Sequence, residues 1–119
     1  MNNSSEYFLD FIVSTDKSLE INHILNYPNP FTTKTRFCFE HNHPLQDLKV
    51  SIQIFTISGK LIKTVNKTIN TTGNRSCDID WDGKDEYGDR LGRGVYLYKL
   101  SVSIAGIGKK EKIEKIVIF

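Results

Sequence analysis

The sequence predicts an all-β fold, an antiparallel β-sandwich of seven or eight strands, and three observations carry that expectation. Short runs rich in Val, Ile, Phe, Tyr and Thr alternate apolar and polar residues with period two. Turn signals built from Gly, Asn and Pro separate those runs about every 8–12 residues, the spacing of sandwich strands. No segment sustains the 3.6-residue period of an amphipathic helix. At 119 residues the chain suits one domain, burying roughly two-thirds of the surface its unfolded form exposes.

In chain order, Glu6–Val13 (EYFLDFIV) sets Tyr7, Leu9, Phe11 and Val13 on one face and reads as an edge or docking strand, followed by the linker STDKSLE. Ile21–Tyr27 (INHILNY) runs into Pro28-Asn29-Pro30-Phe31, where two prolines fix φ and remove two backbone donors. The chain must leave any ladder there. Lys34–Glu40 resumes strand character. Leu48–Ile57 alternates Val50, Ile52, Ile54 and Thr56 against Ser51, Gln53 and Phe55, and Ser58-Gly59 signals a hairpin that Lys60–Val65 completes. Thr68–Ser76, rich in Asn, Thr and Gly, reads as a loop.

Ile79 and Trp81 then alternate with Asp78, Asp80 and Asp82, a half-buried strand with one face committed to carboxylates. Gly83, Gly88, Gly92 and Gly94 lie among charged residues and make the next stretch a surface loop. Val95–Ile104 alternates throughout and is the best candidate for a central strand. After a Gly-containing turn, Lys112–Phe119 ends the chain as a strand whose apolar set is Ile113, Ile116, Val117, Ile118 and Phe119. The pattern is that of immunoglobulin-like folds, without the Cys…Trp…Cys order of antibody domains.

A formal charge of +2, from 16 basic and 14 acidic residues, gives no electrostatic case for nucleic acid or an anionic membrane. No apolar run approaches the roughly 18 residues that span a bilayer as a helix, and no basic-then-apolar signal segment opens the chain. Cys38 and Cys77 sit in separate strand-like segments; one bridge is open to them, but two buried thiols is the plainer reading. Asp78, Asp80, Asp82 and Asp89 imitate the opening of a calcium loop, yet a strand spreads the first three along about 13 Å instead of folding them round an ion. A solvated strand face ending in an Asp-Gly turn is the simpler account. Cys38, His41 and His43 fall short of the ligand count of a zinc site and lack a recognisable oxyanion hole, so neither a metal nor a catalytic residue is expected, and no cofactor. Tyr27, Phe31, Tyr87, Tyr96 and Tyr98 offer an aromatic platform for sugar or peptide only if they share an exposed face.

NYPNPF (Asn26–Phe31), the IQIFTISGKLIKT hairpin, WDGKDEYGD (Trp81–Asp89) and GRGVYLYKL (Gly92–Leu100), in that order, resemble the C-terminal immunoglobulin-like domains of the Bacteroidetes type IX secretion system. That superfamily also includes a module of the flagellar hook-capping protein. FCFEHNHP (Phe37–Pro44), IDWDGKDEYGDRLGRGVY and the EKIEKIVIF ending resemble more closely the tail of that system's surface sortase, a gingipain-like cysteine protease.

The resemblance implies that residues 1–20 are the closing strand of a preceding domain plus a linker, with the boundary in Ser14–Glu20, and that 21–119 form the sorting domain. It implies a parent that crosses the periplasm and outer membrane, keeps this domain, and is held at the cell surface by a PorV-like outer-membrane barrel protein after handling by the secretion translocon. Its catalytic Cys and His would lie upstream, and neither Cys38 nor Cys77 matches them. Lys115, Ile116, Val117, Ile118 and Phe119 are the expected partner-binding residues, by strand addition or edge docking, unless they simply close the core. Deleting Glu114–Phe119 is expected to leave much of the sandwich and abolish export. The alternatives are a cleavable sorting domain of a cargo protein and a carbohydrate-binding sandwich using Tyr96 and Tyr98.

Overall fold

The alternation read from the sequence folds into two antiparallel sheets in the computed structural model, which describes residues 18–119. The strand expected over Glu6–Val13 and most of the linker lie outside the described residues. The strands are β1 (Ile21–Tyr27), β2 (Thr35–His41), β3 (Leu48–Thr56), β4 (Leu61–Ile69), β5 (Arg75–Trp81), β6 (Gly94–Ile104) and β7 (Gly108–Ile118). One sheet has the order β1-β2-β5 and the other β4-β3-β6-β7. The described residues thus form the expected sandwich, with β6 central in the larger sheet.

Period-two burial builds the core. Val50, Ile52 and Ile54 of β3 and Tyr98, Leu100 and Val102 of β6 face Phe37 and Phe39 of β2 and Ile79 and Trp81 of β5, all at most 3% exposed. The Phe37 and Tyr98 rings meet edge to face at 4.9 Å, which ties the two sheets together at mid-height. At the end of β5 Ile79 and Trp81 are buried while Asp78 and Asp80, and Asp82 just beyond the strand, face solvent.

Three expectations are corrected. The loop assigned to Thr68–Ser76 is shorter, because β4 continues to Ile69, whose side chain is 3% exposed and pairs opposite Leu48. β7 begins at Gly108 rather than Lys112: every residue from 104 to 94 on β6 finds a partner on β7, so pairing register extends the strand through residues with no apolar pattern. The two cysteines form a disulfide between neighbouring strands β2 and β5, with Cα atoms 4.2 Å apart. That spacing suits facing residues on an antiparallel pair, so of the two readings left open the bridge holds and the two buried thiols do not. Closing a 39-residue separation stabilises by about 3–4 kcal/mol in the chain-entropy picture, and such a bridge persists in oxidising surroundings outside the cytosol.

Candidate functional site

Two of the motif-bearing segments, NYPNPF and WDGKDEYGD, meet at Phe31, the first reaching the end of β7 and the second reaching β4 of the hairpin. The Tyr27–Phe31 loop leaves β1 through two cis X-Pro bonds and crosses to the larger sheet. There it takes the place of a neighbour strand along the outer edge of the end of β7, which is an edge strand among the described residues. The Asn29 side chain accepts from the Val117 N–H through Oδ1 (3.0 Å) and donates through Nδ2 to the Lys115 carbonyl (3.4 Å). Phe31 donates its N–H to the Val117 carbonyl (3.1 Å) and accepts from the Phe119 N–H (2.9 Å). Asn29 is itself held by Asn26 Oδ1 (3.1 Å), while Asn26 donates to Thr35 Oγ1 (3.0 Å), which donates to the Pro28 carbonyl (2.8 Å). Asn26 and Thr35 are buried, so this polar chain fixes the loop before it reaches β7.

The Asp82–Leu91 loop does the same for β4 at the opposite edge of the same sheet. Glu86 donates its N–H to the Ile62 carbonyl (3.3 Å), and its carboxylate accepts from the Thr64 N–H (3.0 Å) and from Lys63 Nζ (3.4 Å). The loop is shaped by its own carboxylates: Asp85 Oδ1 accepts from the Tyr87 and Asp89 N–H groups, both at 2.9 Å, and Asp82 Oδ1 accepts from the Lys84 N–H. Trp81 Nε1 donates to the Lys84 carbonyl at 2.9 Å.

The two loops are joined. Phe31 packs edge to face on Trp81 at 5.6 Å, and Arg90 Nη1 donates to the carbonyls of both Thr32 and Asp82 at 3.2 Å. Gly83 sits at φ 77° with its Cα against the Phe31 ring, so a Cβ there would lie 3.3 Å from that ring. Glycine is needed on both counts.

Of the residues expected to bind a partner, Lys115 to Ile118 lie in β7 and Phe119 directly follows it. Ile116 and Ile118 are 0% and 3% exposed core residues, Val117 is half-buried, and Lys115 and Phe119 are exposed. The expectation that deleting Glu114–Phe119 would spare the sandwich is therefore corrected, since the deletion removes two core side chains. The outer backbone edge of 115–119 is engaged by Asn29 and Phe31, a contact between residues 86 to 88 positions apart that no local pattern signals.

The other candidates do not gather into a site. Among the described residues no group of three His, Cys, Asp or Glu side chains is placed to hold a metal ion. Cys38 is bridged to Cys77. His41 Nδ1 accepts from the His43 N–H (3.1 Å), which leaves Nε2 protonated to donate to Thr71 Oγ1 (2.9 Å). Burial first, and the neighbouring His43 second, hold its pKa below the usual histidine value. Phe31 and Tyr98 are in the core while Tyr27 and Tyr87 are 74% and 90% exposed, so the aromatics form no single platform. The Tyr98 hydroxyl is buried without a partner among the described residues, and burial followed by the Glu114 charge pushes its pKa up.

At this end of the sandwich, then, two loops fasten the two edges of one sheet. Residues 26–118 match the model of the secretion-system C-terminal sorting domain, and the chain belongs to that family, the sorting tails of type IX secretion. Among solved structures it is similar to the dimeric latent PorU of Porphyromonas gingivalis, at a TM-score of 0.75 and 27% identity. That match covers 89% of this chain and 10% of PorU, so the chain corresponds to about a tenth of PorU's length. No curated protein matches. The domain is a non-catalytic sorting tail, and membership in the family places its route outward, toward the cell surface and outer membrane.

Proposed function

We propose that this domain is the retained C-terminal sorting and anchoring domain of a type IX sortase. It directs the parent across the outer membrane and holds it at the cell surface through a PorV-like outer-membrane barrel protein, with the end of β7, Lys115–Phe119, in the partner-binding region. The observation that carries the reading is that the NYPNPF motif fastens the outer edge of that segment through Asn29 and Phe31, while Trp81 and Arg90 of the next motif loop brace it from behind. The similarity to PorU over 89% of the chain supports a sortase as the parent. The disulfide suits a domain that works in the periplasm and outside the cell.

The family match alone fits a cleavable cargo sorting domain equally well. Mass spectrometry of the parent protein recovered from intact cells separates the two: the sortase reading expects peptides from Gly108–Phe119 on the surface-held protein. Their absence from that protein, with this domain found as a released fragment, would favour cargo.

A further inference from the structure

The outer face of the β4-β3-β6-β7 sheet is divided into two halves. Because Ile54 and Tyr98 are buried partners, their neighbours Phe55 and Leu97, themselves paired, point away from the core. Val95 pairs with Val117 in the next row on that face, Ile57 continues β3 beyond it, and Phe119 follows at the same end. Ile57, Val95 and Phe119 are 61%, 43% and 65% exposed. Toward the other end the same face turns polar, with Lys49, Ser51, Ser101, Ser103 and Lys109 in register. A contiguous apolar patch at one end of a sheet face, beside the segment the motif loops fasten, is the kind of surface that proteins cover with a partner.

We infer that a protein partner docks flat on this apolar half-face and reads the end of β7 through the side chains of Lys115, Val117 and Phe119, not by adding a strand to its backbone. This deepens the sorting-domain reading and rests on it. Strand addition needs free outward N–H and C=O groups. At 115–119 those groups are taken by Asn29 and Phe31. On the facing edge of that sheet end, Ile62 and Thr64 of β4 are taken by Glu86. With both edges closed, the broad face is what this end offers. Its rim carries Lys60, Arg93 and Lys115, which make no ion pair among the described residues. The complementary partner surface has an apolar centre and an acidic border.

The test uses the full-length parent in its own secreting cell, read as surface-displayed protein. Ile57→Asp with Val95→Glu, both at exposed positions, should cut display at least ten-fold while the purified parent melts within a few degrees of wild type. Lys49→Glu with Ser103→Glu, on the polar half of the same face, should leave display unchanged. Asn29→Ala should not raise display; a rise would mean that the partner competes for the β7 edge and would overturn the inference. Normal display of the Ile57/Val95 variant would overturn it too. If removing residues 21–119 altogether leaves display normal, the sorting reading itself fails, so the two failures are distinguishable. Flotation of the parent with phosphatidylglycerol vesicles, lost in the Ile57/Val95 variant, would assign the face to lipid and likewise contradict a protein partner.

Discussion

Two loops close the two edges of one sheet at the same end, and they do it by different chemistry. The Tyr27–Phe31 loop fastens β7 with two backbone bonds from Phe31 and a side-chain amide, Asn29, held from behind by the buried Asn26 and Thr35. The Asp82–Leu91 loop fastens β4 with one backbone bond and the half-exposed carboxylate of Glu86. A neutral amide supported by buried polar groups gives a rigid clamp that salt barely touches, whereas an exposed carboxylate gives a weaker one that salt screens. The end of β7 is thus held more firmly than the start of β4.

Substitutions that break one clamp and spare the other sharpen this contrast. Phe31→Ala should have the largest effect, about 3–5 kcal/mol of lost stability by chemical denaturation, because the ring lies in the core against Trp81 and its loss frees both loops. Asn29→Ala should cost about 1–3 kcal/mol, since it leaves Asn26 Oδ1 and the Val117 N–H without their partner. In amide exchange it should accelerate Val117 and leave Thr64 alone. Glu86→Ala should cost under about 1 kcal/mol, accelerate Thr64 and leave Val117 alone, with the difference shrinking in high salt. Equal exchange changes at both amides in either variant would mean that the loops act as one unit.

The smallest effect lies at the other end of the sandwich. His41 is held neutral, with its folded pKa below the unfolded value of 6.5, so its contribution is complete above about pH 6.5 and is lost as pH falls through the folded pKa. Denaturation measured from pH 7 to pH 5 should therefore show a steeper loss for the wild type than for His41→Gln, and the Thr71 loop should loosen before the Val117 clamp.

The strands were legible because burial forces alternation: Val50 to Ile54, Ile79 with Trp81, and Tyr98 to Ile104 declare their inward faces in the residue order. β7 was legible only at Ile116 and Ile118, the residues that reach the core, while Gly108–Lys115 becomes strand through the register of β6. Pro28 and Pro30 announced correctly that the chain leaves its ladder. They could not announce that Asn29 and Phe31 then supply a ladder to another sheet, because that pairing joins residues more than 80 positions apart. The pairing of Cys38 with Cys77 is invisible for the same reason: it depends on β2 and β5 being neighbours, which neither strand's own pattern states. The family resemblance singled out Lys115–Phe119, and the geometry around that segment came only with the fold.

Amide hydrogen exchange along β7 tests the central claim most directly. In the wild type the outward-facing N–H groups of Val117 and Phe119 should exchange slowly, held by Asn29 and Phe31, while those of Glu111 and Ile113, on the part of the same edge that has no partner among the described residues, should exchange quickly. Equally fast exchange at all four would contradict the claim that the motif loop closes this edge.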